Sequence, residues 1–219
     1  MMAKIGRAGS LTLTLCGALL SPLAPQAAAQ TYRRDGVQTR RGDAQQVNRA
    51  DARLIAQAEY YSGDNFNFET RTPRGVRVYA VSRPAPEALR AIDSGLAELF
   101  AVARRHGYSA RLNYTDYTVF IARPDRTRDS AGTYSPDIAL GAAQYAGSVY
   151  DHGGYVYAAG MVLSMEPCAF LIAEHQRDFQ RISNVTRYEG EHIVLFHNDR
   201  RLYEQTADHS RGGSHPILQ

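Results

Sequence analysis

The sequence predicts a single α+β domain: a small mixed or antiparallel sheet of about four strands packed with roughly three to five helices. Three observations carry this. Leu89, Ile92, Leu96, Leu99 and Ala103 recur at three- and four-residue steps, as one face of a helix requires. "GVRVYAVS" (75–82) and "YTDYTVFIAR" (114–123) are short β-branched and aromatic runs of strand type. The two patterns interchange along the chain without an internal repeat.

The N-terminus reads as an export signal. Lys4 and Arg7 precede the apolar run "LTLTLCGALL" (11–20), and "AAA" (27–29) supplies the small side chains of a cleavage site. Residues 1–29 are therefore expected to be removed, leaving an exported protein, periplasmic or extracellular. The run is short of the roughly 20 residues a membrane helix needs, so no stable membrane insertion is expected after cleavage. Lys4 is the sole lysine. Setting it and Arg7 aside leaves 23 of the 25 basic residues against 22 acidic ones. That balance carries no nucleic-acid footprint, so the expected partner is a small molecule or a peptide. Cys168 is the one cysteine left, which excludes an intramolecular disulfide.

Polar "QTYRRDGVQTRRGDAQ" (30–45) reads as a flexible leader, with the globular domain at 46–219. Val47, Leu54, Ile55 and Ala58 predict a first helix ending near "YYSGDN". The strand at 75–82 and the helix over 83–107 follow, with Gly107 as C-cap. After the strand at 114–123, "PDRTRDSAGTYSPD" (124–137) is a loop by composition. "IALGAAQYAGSVY" and "GYVYAAGMVLS" predict two strands around the turn "DHGG". Pro167 then suits position N1 of a helix over "CAFLIAEHQRDFQRI".

The most informative stretch is "TRYEGEHIVLFHND" (186–199). Thr186 and Glu189 fit a capping box, which predicts a helix starting there. At about 100° per residue, Glu189 and His192 fall within the apolar arc, three positions apart on one buried face. Glu191 falls on the opposite side and is expected to face water. Arg200 would intrude on the apolar arc, so the helix is expected to break near His197, with Asp199 capping a short helix "RRLYEQTA". Buried polar groups need partners, because leaving one unpaired costs roughly 1–3 kcal/mol.

Six of the seven histidines lie after residue 150. A helix-borne Glu/His pair joined by a later histidine is a way to build an open zinc site. The candidate catalytic residues are thus Glu189 and His192, and the candidate metal ligands are His192, His209 and His215, with zinc as the cofactor. The tail "HSRGGSHPILQ" is expected to fold back and bring a histidine to this helix. Zincin-type peptidases set such a helix behind a sheet, but the H-E-x-x-H signature is absent: Ile193 follows His192, and residue 196 is Phe. Tyr188 likewise breaks the inverted H-x-x-E-H form, so no family is assigned.

The functional expectation is a zinc-type hydrolase; the alternative is a non-catalytic secreted binding or envelope-interaction module in which Glu189 and His192 are structural. Cys168 is a rival nucleophile if Pro167 opens a helix, because amide dipoles at a helix N-terminus stabilise a thiolate. Asp151 and His152 read as turn residues, and Glu174, His175 and Asp178 as a solvated helix face. "NVT" (184–186) fits a glycosylation acceptor as well as a helix start. Tyr145, Tyr150, Tyr155 and Tyr157 suit either strands or a groove.

Overall fold

The computed structural model describes residues 39–124, 137–141, 155–174, 178–207 and 214–219. The segment read as a signal peptide, most of the leader and the "DHGG" turn lie outside them, as do Tyr145, Tyr150, His152, His175 and His209.

Strands β2 (Arg77–Ala80), β3 (Tyr117–Ala122) and β7 (Cys168–Ala173) run parallel at the centre of a five-stranded sheet. Antiparallel edges flank them: β1 (Phe68–Arg71) against β2, and β6 (Gly160–Met165) against β7. A separate antiparallel pair joins β4 (Ile138–Gly141) to β5 (Tyr155–Ala158). The fold is α+β as expected, with five strands in the main sheet. β1 has no counterpart among the expected strands, since "FETR" carries two charges over four residues, a pattern suited to an edge. The single strand expected over "GYVYAAGMVLS" divides at Ala159, giving one half to each sheet.

Side chains alternate across the central strands. Val119 and Ile121 of β3, with Phe170 and Ile172 of β7, face α2 (Pro86–Arg105) and α3 (Phe179–Asn198). Phe120, Ala122, Leu171 and Ala173 face the other way, towards Leu54 and Ala58 of α1 (Thr39–Ser62). Helices on both faces bury every residue of β3 and β7. α1 begins inside the stretch read as leader and stops before Gly63, whose φ of 67° suits glycine.

α2 matches its expected span. Gly107, at φ 79°, donates to the Arg104 carbonyl while Tyr108 donates to Ala103, the paired bonds of a Schellman ending. α3 departs from expectation. It starts at Phe179, where Asp178 accepts a hydrogen bond from the Arg181 N–H at 2.9 Å. Thr186 is therefore a buried mid-helix residue and not a cap. The short polar residues Ser183 and Asn184 resemble a break, but the helix absorbs both. Ser183 is buried against α2, and Asn184 accepts from Gln180 one turn earlier.

The helix expected from Cys168 is β7. Its run "CAFLIA" is apolar throughout because both faces of the strand are covered, and such a run lacks the alternation that marks a half-buried strand. The break at "HND" and the following cap are as expected. α4 (Arg200–Thr206) begins with Asp199 accepting from the Leu202 N–H at 2.9 Å.

Candidate functional site

α3 is the element around which the site is built, and its neighbours assign each polar residue a place. On one flank it crosses α2 at small residues. A Cβ on Gly95 would overlap the Ser183 carbonyl oxygen, and one on Gly190 would stand 2.7 Å from a Leu99 methyl. On another flank it packs on β6, where a Cβ on Gly160 would meet the Glu189 side chain at 2.9 Å. The C-terminal residues 214–219 cover a third flank, with Ile217 joining the core.

That third cover overturns the expectation for Glu191. Its side chain is 0% exposed. His215 Nδ1 donates to Glu191 Oε2 at 2.7 Å, and the Ile217 N–H donates to Oε1 at 2.9 Å. A helical wheel with one buried arc places Glu191 in water because it holds no information about a segment 24 residues later. The expected fold-back of the tail is what buries it. With an ionised carboxylate, which only accepts, this bond carries its proton on Nδ1 of His215.

His215 stacks on Tyr188 with centroids 4.5 Å apart, and its ring lies 5.0 Å from that of His192. The two predicted histidines are thus brought together. His209, the third, is outside the described residues. Glu189 and His192 line one pocket of about 480 Å³ together with His215, closed on the sheet side by Gly160 and Val162 of β6. Burial pushes the Glu189 carboxyl up to about 8, while a hydrogen bond from the Val162 backbone acts in the opposite sense. The burial thus favours the protonated form of the carboxyl, which can donate a hydrogen bond.

Side chains also hold β6 from outside the ladder. Gln57 donates to the Leu163 carbonyl at 3.0 Å, and His197 Nε2 lies 2.8 Å from that of Met165. His197 accordingly serves the β6–β7 hairpin and not the pocket. Among the described residues, no group of three or more His, Cys, Asp or Glu is disposed to hold a metal ion. His192 and His215 offer two imidazoles, and a third protein donor would have to come from Glu189, after loss of its proton, or from outside the described residues.

Cys168 is buried in β7 beside Tyr117, and burial raises its thiol to about 12. With no helix N-terminus beneath it, the thiolate reading fails. Of the remaining candidates, Asp178 caps α3, and the Glu174 N–H donates to the Ala122 carbonyl at the end of β7. No helix among the described residues is long and apolar enough to cross a membrane.

Glu191 is the buried polar residue of this site that sequence reasoning missed. Its one signal was the fold-back of the tail, which requires a partner on α3. Compared with family models, curated proteins and solved structures, the chain matches none, so the chemistry of this site is read from its own residues.

Proposed function

We propose that the protein is an exported hydrolase acting on a small molecule or peptide, with its active site in the pocket between β6, α3 and the C-terminal segment. The supporting observation is the buried bond between Glu191 and His215, set beside His192 and the neutral acid Glu189. A carboxylate behind a histidine fixes ring orientation and tautomer and stabilises the imidazolium formed when the ring takes a proton.

In the reaction this arrangement suits, His215 Nε2 accepts a proton from water while the water oxygen bonds to a carbonyl carbon. The tetrahedral intermediate then collapses, breaking the bond to the leaving group as the Glu189 carboxyl passes its proton to the departing atom. The imidazolium proton returns to Glu189, so the net change is addition of one water across the bond. His192 faces His215 across the pocket and positions the water or the substrate oxygen.

A zinc-dependent form draws on the same residues, with His192 and His215 as ligands and His209 or Glu189 as the third. A bound zinc would supply polarisation of the carbonyl and a more acidic water. The paired imidazoles support that form. In the alternative reading, a binding module, Glu191 is only a clasp for the C-terminus, a view that the Ile217 bond favours.

Assay of purified protein on p-nitrophenyl esters, with zinc or chelator added, tests the reading. The expected result is hydrolysis that His192→Ala lowers at least about tenfold in a folded protein, with a zinc-induced rise in melting temperature if the metal form holds. No hydrolysis under either condition supports the binding module instead.

A further inference from the structure

We infer that the pocket selects an uncharged ester or amide with an apolar acyl or aryl body, from a short acyl chain up to a benzoyl group in size. This inference deepens the hydrolytic reading above and rests on it for the reaction, though not for the binding. The walls carry the argument. Val162 and Met165 from β6 and Val185 from α3 present aliphatic and thioether surface, and Tyr188 and Tyr203 add aromatic surface. Methionines adapt to bodies of differing shape, and aromatic walls contribute area with fixed geometry.

At about 480 Å³ the space lies within the range that encloses a small organic ligand. Among the described residues, the polar groups reaching it include the Glu189 carboxyl and two imidazoles. A carbonyl oxygen is a natural acceptor for an imidazole N–H. A carboxylate or phosphate on the substrate would bring a full charge against apolar walls, which is costly without a buried counter-charge.

Saturation-transfer NMR at pH 7 tests this on the full folded protein, with benzamide, benzoate and phenyl phosphate as probes of matched body. Benzamide is expected to bind, and its signal should fall at least about fivefold in Ala207→Trp, which fills the pocket mouth. Met165→Ala, which widens the pocket wall, should improve binding of naphthamide relative to benzamide and stands in if the first variant misfolds. Benzoate or phenyl phosphate competing for the pocket as well as benzamide would overturn the inference, as would benzamide binding that neither variant alters. Binding is read without turnover, so the two readings fail separately. Benzamide bound in the pocket without hydrolysis of any ester would remove the catalytic reading and leave this one. Hydrolysis of a carboxylic ester with no benzamide bound in the pocket would do the reverse.

Discussion

Two flanks of α3 are built on opposite principles. Against α2, the seam is closed by absence of side chains: Gly95 lies on the Ser183 carbonyl, and Gly190 receives Leu99 and Leu96. Against β6 and the C-terminal residues, the same helix presents Glu189 and His192 to a space of about 480 Å³ and buries Glu191 against His215. The first flank is dry, small-residue packing that fixes where α3 sits. The second holds ionisable groups whose positions depend on the first. One helix thus serves as both core element and pocket wall.

Substitution at the two key glycines should break that comparison most visibly. At Gly95 the added methyl meets backbone, which cannot yield; at Gly160 it meets the side chains of Val185 and Glu189, which can. Gly95→Ala should therefore cost about 2–3 kcal/mol, even after the gain of about 1 kcal/mol in helix propensity. Gly160→Ala should cost about 1 kcal/mol or less while displacing Glu189 from Val162. Urea denaturation of both variants measures the difference, and equal costs would contradict the division between the flanks.

A subtler contrast is that between Glu189 and Glu191, two residues apart on one helix. Glu191 receives two hydrogen bonds in its burial, whereas burial dominates at Glu189 and raises it to about 8 from its ordinary 4.5. In the window between those values the folded protein holds a proton that the unfolded chain releases. Stability contributed by Glu189 is therefore fully present below about pH 4.5 and lost as pH rises through about 8. The slope should reach at most about 1.4 kcal/mol per pH unit. Melting curves from pH 5 to 9 should show this decline in the wild type and a flatter profile in Glu189→Gln. Parallel profiles would mean that Glu189 is already ionised at neutral pH.

Much of this architecture was legible in the residues. The amphipathic period of α2, the Gly107 ending and the break at Asp199 all depend on contacts within a few positions, where sequence patterns hold their information. What was not legible depended on distant cover. β7 looked helical because two layers of helices hide both its faces and remove its alternation. Thr186 looked like a cap because Glu189, three positions on, completes the capping-box pattern, yet Thr186 is buried against α2, an element some ninety residues earlier. The site shows the same split. His192 and Glu189 could be found from helical spacing, and His215 from the expected return of the tail. Glu191 could not, because the segment that buries it lies outside any helical wheel.

The central claim is that Glu191 positions His215 for chemistry and does not merely hold the C-terminus in place. Steady-state kinetics of Glu191→Gln on the best ester substrate tests it most directly, with the fold checked by circular dichroism. The glutamine keeps an acceptor for the Ile217 N–H but removes the charge behind the imidazole. Loss of that support should lower kcat about 100-fold, with KM changed less than about threefold and the pH–rate profile displaced. His215→Asn should fall at least as far. A folded Glu191→Gln protein with wild-type kcat and an unmoved pH profile would contradict the account.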